Sequence, residues 1–393
     1  MRCATCGSEN NEHLWSNLKK ESPRHKTQPL DVMICKDCGL VFLDLTGLAE
    51  ETLFEYYSTS NTFEKPGPLP EGHKALREHQ VNWAMENLPE GANPQSFLDV
   101  GCGAGYIANL YKQKSDDVFG TDLSHAMIAN LKDLYGIEGK QGPFSADLVN
   151  RKFDFVSCIT VLEHMYDPYY EILEMKKCIN PDGFLFLEVP DAEFPRSDTI
   201  VDHLAFDHLW HWCIPTLARL MERCGFKILG TFTRLNPLNS GNPEQTLRII
   251  GQLSSEPFEK EYQKNFYDYE KKALAKYKAD HKEYLDAFQG KLDGIQAKIG
   301  DEPVAIFPGG EHTGTLLERF DFSKFNIVNI YDNDPAVTGK TFFGITIKHG
   351  SEAAEDDTGH YLLSTTNHEK SICEQLKTKK PDVKVYGLYN DLD

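Results

Sequence analysis

The sequence predicts an α/β protein built on parallel sheets and preceded by a small metal-binding module. Three observations carry that expectation. Strand and amphipathic-helix signals alternate from about residue 75 onward. Two strand–glycine–helix units of similar design occur at 97–114 and 304–320, and two CxxCG pairs lie within the first 39 residues. The length of 393 residues allows two or three domains, and 40% hydrophobic with 26% charged residues is the composition of a folded chain.

The cysteine pairs are Cys3-Ala4-Thr5-Cys6-Gly7 and Cys35-Lys36-Asp37-Cys38-Gly39. Each suits a tight turn that presents two sulfurs to one ion, and together they suit a tetrahedral zinc site. Four thiolates leave no open coordination position, so the expected role is structural. The interval between the pairs exceeds the common spacing, but a loop spans it cheaply because closure entropy grows slowly with length. The other six of the ten cysteines read as buried thiols of a reducing compartment.

From Ser96 the strand candidates are 97–100, 117–121, 153–159 and 183–189, with helices near 105–114, 125–135 and 168–178 and a turn at Asn180-Pro181-Asp182-Gly183. A charged, tyrosine-rich helical run over about 258–298 reads as a solvated amphipathic connector. Beyond it, Val304–Phe307 runs into Pro308-Gly309-Gly310, a helix over 311–320 follows, and a second strand, Ile327–Tyr331, ends at Asp332-Asn333-Asp334. That is half of a nucleotide-binding fold. The resulting division is 1–68, 69–255 and 256–393.

Lys and Arg total 41 against 60 Asp and Glu, a formal charge of −19, the wrong sign for general binding to nucleic acid or anionic membranes. No run of about 18 apolar residues and no leader pattern is present. The expected address is cytoplasmic, with a small-molecule partner. No oligomeric state follows from the sequence.

The chemistry concentrates at Leu98-Asp99-Val100-Gly101-Cys102-Gly103-Ala104-Gly105, three glycines directly after a buried strand and before a helix. Glycine there permits a tight turn and close approach of a ligand to backbone. An acid at the end of the next strand should follow by about 20 residues to take ribose hydroxyls, and Asp122 does so. The spacing is GxGxG and not the dinucleotide GxGxxG, and no Walker sequence occurs.

These residues, with FDFVSCITVLEHMYDP and NPDGFLFLEVP downstream, resemble a class I S-adenosylmethionine-dependent methyltransferase. The resemblance implies a Rossmann-like domain in which Gly101, Gly103 and Gly105 face the methionine end of the cofactor, Asp122 holds its ribose, and Ile159 and Thr160 close over it. The whole arrangement, zinc module, methyltransferase domain and second Rossmann-like C-terminal domain, is similar to the sugar C-methyltransferase family. Members methylate the carbon beside the ketone of a nucleotide-linked deoxysugar. The likeness extends to Tyr56-Tyr57-Ser58-Thr59-Ser60, to Phe206-Asp207-His208-Leu209-Trp210-His211-Trp212 at the place of an Glu-His-x-x-Tyr-Phe motif, and to Pro308–Leu317 with Asp332, Asp334 and Gly339. Asp207 stands where the family has Glu, and His211 where it has Tyr.

Carbon methylation requires removal of a proton beside a carbonyl, and imidazole is suited to take it at neutral pH. His208 is the expected base, Asp207 the group that orients it, and Tyr57 a donor to the enolate oxygen. Glu163 and His164 read as structural or cofactor-side residues. His312 reads either as a contact to a substrate diphosphate or as part of a plain helix start. Two other functions compete: O- or N-methylation of another small metabolite, which needs no α-proton base, and a non-catalytic zinc-ribbon binding protein.

Overall fold

The computed structural model describes residues 1–16, 20–21, 26–27, 30–59, 68–69, 71–193, 195, 197–200, 204, 208–235, 245–366 and 368–392. The chain forms two compact units. One comprises Met1–Trp15, Asp31–Pro195 and Asp207–Leu274, the other Ser16–Leu30, Arg196–Phe206 and Ala275–Asp393.

The first unit is organised by a seven-stranded sheet. Its order is Phe226–Leu235, Gln245–Leu253, Ile179–Pro190, Phe153–Ile159, Ser96–Val100, Asp117–Asp122 and Glu138–Gln141. The last five strands are parallel, and Gln245–Leu253 runs antiparallel to both its neighbours. Strand Ser96–Val100 is buried throughout, as expected for a central parallel strand covered on both faces. The chain proceeds outward to one side of that strand and then returns to the other, so the carboxyl end of Ser96–Val100 is a topological switch point where ligands bind in open α/β sheets.

Local chemistry sets the helix limits. Asp167 caps Pro168–Lys177 by accepting from Tyr170 N at 3.2 Å, with Pro168 at the first turn. Gly136 and Gly225 end His125–Tyr135 and Ile214–Cys224 in the left-handed conformation. Residues Asn180–Gly183, expected as a free turn, lie inside strand Ile179–Pro190 as an irregularity. The register against Phe153–Ile159 shifts between Ile179 and Phe184, and Asp182 has φ +59°.

The cysteine turns belong to this same unit, on a small sheet ordered Asn11–Ser16, Asp31–Cys35, Val41–Leu43 and Trp210–His211. Trp210 pairs with Phe42 and His211 with Val41, antiparallel. Thr5 Oγ1 donates to the carbonyl of Thr216 at 3.1 Å and Arg223 Nη1 to that of Ala4 at 2.9 Å.

In the second unit a six-stranded sheet runs Thr341–Phe342, Ile345–His349, Asn326–Asp332, Pro303–Phe307, His360–Leu363 and Lys384–Gly387, parallel except for the hairpin at its edge. Alternate residues of its central strand enter two cores. Val304 and Ile306 join one with Leu316 and Ile330, while Ala305 and Phe307 join the other with Tyr361 and Ile372. The run expected to be a solvated connector is a 33-residue helix, Tyr267–Ile299. Its Phe288, Leu292, Ile295 and Ile299 are buried in the first of those cores. Most of its charges occupy the exposed faces, Glu270 being a buried exception, and one apolar stripe is structural.

Candidate active site

A cleft of about 490 Å³ opens at the carboxyl ends of the parallel strands in the first unit, a size suited to a small ligand. Gly101, Gly103, Asp122, Ile159 and Thr160 line it, and so do Tyr57 and His208. Gly105 is not among the lining residues.

The glycine loop is shaped by backbone needs. Gly101, Gly103 and Gly105 have φ of +70°, +49° and +88°, conformations that side chains rarely adopt. A Cβ on Gly101 would lie 2.4 Å from Val161 Cγ2, and one on Gly105 would lie 2.7 Å from Leu131 Cδ1. Gly105 therefore serves helix packing, while Gly101 and Gly103 border the cleft. Asp122 ties the loop to the neighbouring strand: Oδ2 accepts from Gly103 N at 2.9 Å and Oδ1 from Ser124 N at 2.8 Å. The fixed cation among the described lining residues is Arg77, which donates to Gln80 Oε1 at 3.3 Å. Gln80 in turn donates to Glu188 Oε1 at 2.6 Å, and Glu188 pairs with the fully buried Arg248. Arg77 carries no motif in the sequence and was not singled out there. Thr160 has φ +54°, a strained conformation of a β-branched residue of the kind found at ligand sites, held by its N–H to the carbonyl of Glu188 at 2.7 Å.

The same cleft is lined by a cluster of proton-transfer groups. The Tyr57 hydroxyl and His164 Nδ1 are 2.9 Å apart. His164 Nε2 lies 3.7 Å from Glu163 Oε1, and Glu163 is 1% exposed. The ring of His208 stands edge-on to that of His164, centroids 5.0 Å apart. Ligand atoms of Glu163, His164 and His208 all lie within 4.8 Å of one another, a spacing at which the three could hold a divalent cation. Sequence reasoning chose Tyr57 and His208 and put Glu163 and His164 to other uses; the fold brings all four together. Asp207 and His203, like Ser60 and Phe206, lie outside the described residues.

Backbone bonds to the short helix Leu162–His164 and from strand Val41–Leu43 hold the residue after His208. Leu209 N donates to the carbonyl of Glu163 at 2.8 Å, and Leu43 N donates to the carbonyl of Leu209 at 2.8 Å. The strand beside the cysteine turns thus carries the segment that bears the histidine.

The four cysteines converge. Cys3 and Cys38 sulfurs are 3.5 Å apart, as are those of Cys6 and Cys35. A tetrahedral ion with Zn–S bonds of about 2.3 Å has sulfur–sulfur edges near 3.8 Å, so the set fits zinc. Both turns have the same geometry, with Gly7 N bonded to the carbonyl of Cys3 and Gly39 N to that of Cys35, each at 2.8 Å. Gly7 and Gly39 have φ of +75° and +89°.

His312 is half-buried against Tyr389 in the second unit, its Nε2 bonded to the phenol, and burial lowers its pKa to about 4. At that pKa the ring is uncharged at neutral pH.

Residues 75–230 match the family model described as a methyltransferase domain. The chain is similar to the ubiquinone biosynthesis O-methyltransferases of Pseudomonas paraeruginosa, 30% identical over 115 residues that cover 28% of this chain and 49% of that protein. It is also similar to that of Idiomarina loihiensis, 26% identical over 136 residues that cover 33% and 55%. The chain spans about half the length of these curated relatives. Among solved structures, magnesium protoporphyrin IX methyltransferase from Synechocystis with bound SAH aligns over 52% of this chain and 100% of that one, at 16% identity and a TM-score of 0.39. Residues 75–230 are a methyltransferase domain, and among the described residues no helix is long and apolar enough to cross a membrane.

Proposed function

We propose that the domain uses S-adenosylmethionine to methylate a carbon beside the ketone of a nucleotide-linked deoxysugar, through an enolate. The observation that carries this reading is the Tyr57–His164 contact with His208 beside it, in the cleft that the glycine loop also lines. The cofactor, when bound, supplies an electrophilic methyl group. The chain's own residues must bind it, remove the α-proton and stabilise the oxygen on which charge develops. Gly101 and Gly103 permit close approach, Asp122 offers carboxylate oxygens to ribose hydroxyls, and Arg77 is the cation suited to the methionine carboxylate. His208 takes the α-proton. With Nδ1 of His164 protonated, the Tyr57 oxygen accepts from it, and the phenol is the group that donates to the enolate oxygen. Asp207 remains the residue expected to orient His208. A zinc ion on Cys3, Cys6, Cys35 and Cys38 has a structural role in the same reading.

The experiment is incubation with S-adenosylhomocysteine and a panel of nucleoside-diphosphate-linked keto-deoxysugars in D2O, followed by replacement of S-adenosylhomocysteine with S-adenosylmethionine. Exchange of an α-proton and transfer of one methyl to the same carbon are expected; methylation without any exchange refutes the enolate.

A second reading is favoured by the spacing of Glu163, His164 and His208 together with the names of the relatives: cation-assisted methylation of an oxygen. It requires that chelation abolish activity and that a divalent ion restore it, whereas proton abstraction by His208 requires neither.

A further inference from the structure

One acid in the cleft wall has no part in the chemistry above. Glu171, in the first turn of helix Pro168–Lys177, is 9% exposed, lines the same cleft as Tyr57 and His164, and its Oε2 is buried without a hydrogen-bond partner. The titratable groups coupled to it are Glu50 at the start of helix Glu50–Thr59, Asp167 at the cap of its own helix, the phenol of Tyr170 beside it, Glu174 one turn along, and the thiol of Cys158 on the strand beneath. All are acids. Glu174 is paired with Lys177, and Asp167 is engaged with Tyr170 N, so neither brings Glu171 a proton or a cation. Burial first, and then the carboxylates of Glu50, Glu174 and Asp167, push its pKa up to about 8. Such a carboxyl is protonated at neutral pH and has an O–H to give. Native proteins rarely leave a buried polar atom unpaired, and one in a cleft wall marks a place that a ligand completes.

We propose that Glu171 is a specificity residue for the methyl acceptor, donating a hydrogen bond from its carboxyl to an uncharged oxygen of the substrate, a carbonyl or a hydroxyl. The inference rests on the methyltransferase reading above. The surrounding carboxylates repel an anionic group at this point, so the diphosphate of a nucleotide sugar binds elsewhere.

The test measures KM against pH for a nucleoside-diphosphate-linked 4-keto-6-deoxyhexose with wild type, Glu171→Gln and Glu171→Ala, with S-adenosylmethionine affinity followed by calorimetry. For wild type, KM should rise as pH passes about 8, where the donor proton is lost. Glu171→Gln, whose carboxamide donates at every pH, should remove that rise. Glu171→Ala should raise KM roughly three- to tenfold at all pH values without weakening the cofactor. A rise that persists in Glu171→Gln overturns the proposal, as does a KM for Glu171→Gln as poor as that of Glu171→Ala, the result expected of a carboxylate gripping a cationic substrate. If no variant methylates the sugar, the reading of the reaction fails by itself. The infrared difference spectrum of wild type against Glu171→Gln then decides the acid: a protonated-carboxyl band at pH 7 that is lost above pH 8 upholds a neutral donor, and its absence overturns it.

Discussion

The hydroxyl of Tyr57 lies 2.9 Å from Nδ1 of His164, although 107 positions separate the two residues in the chain. The contact joins helix Glu50–Thr59 to the short helix Leu162–His164 that follows the fourth parallel strand. It joins a helix that precedes residues 75–230 to one inside the methyltransferase domain.

If Tyr57 stabilises the enolate and His208 takes the proton, the two substitutions should separate. His208→Asn should cost roughly 10²–10⁴-fold in turnover and abolish α-proton exchange, with cofactor affinity retained. Tyr57→Phe should slow methyl transfer while slower exchange persists. Exchange is read by mass spectrometry in D2O, and an unchanged rate in His208→Asn removes it from the role of base.

Asp122 holds the glycine loop through two backbone amides and faces the cleft. Asp122→Ala should weaken S-adenosylmethionine by roughly 1.5–3 kcal/mol, the worth of hydrogen bonds to a charged group. Asp122→Asn, which keeps an acceptor for one amide, should fall between. Calorimetry measures both, and equal affinity in all three proteins contradicts the ribose assignment.

Because strand Trp210–His211 lies in the cysteine sheet, zinc should matter to turnover more than to the cofactor. A Cys3→Ser, Cys35→Ser double variant should lose one equivalent of zinc by metal analysis. Misplacement of His208 by even 1 Å should then cost about 10²-fold in turnover. S-adenosylmethionine binding should persist. Full zinc content in the variant would place the ligands elsewhere.

Two buried carboxyls make stability depend on pH. Burial raises Asp191 to about 6 and Glu270 to about 7, and each has one oxygen without a partner. For a group whose folded pKa lies above its unfolded value, the protonated form favours the native state. That contribution is complete below the unfolded value near 4 and is lost as pH rises through 6 and 7. Thermal stability should therefore fall between pH 5 and pH 8. Glu270→Gln should reduce the slope and raise stability at pH 8 by on the order of 1–3 kcal/mol. A wild-type profile that is flat over this range would show that the carboxyls find partners in solution.

The strands and helices around the glycine loop were legible because their signals are local. Five-residue apolar runs, helical periodicity, Gly136 after one helix and Asp167 before another act within a few residues. The cysteine turns were legible for the same reason, since CxxCG carries its own geometry. The long helix was misjudged because periodicity exposes an apolar stripe without naming its partner; Phe288, Leu292 and Ile295 meet theirs in strands and helices that follow later in the chain.

What the sequence determined by itself was thus the α/β class, the glycine loop, the acid at Asp122 and the four sulfurs, each set by contacts between near neighbours or by backbone conformations that only certain residues adopt. The tertiary structure alone decided which side chains share the cleft. Tyr57, Glu163, His164 and His208 come from three separate segments, and Arg77 and Glu171 from two more. Their meeting depends on strand order, on the bond from Leu209 to Glu163 and on the cysteine sheet beside it. The physical reason is that proximity across the ends of a parallel sheet is fixed by topology and packing summed over the whole unit, and no short stretch of residues encodes it.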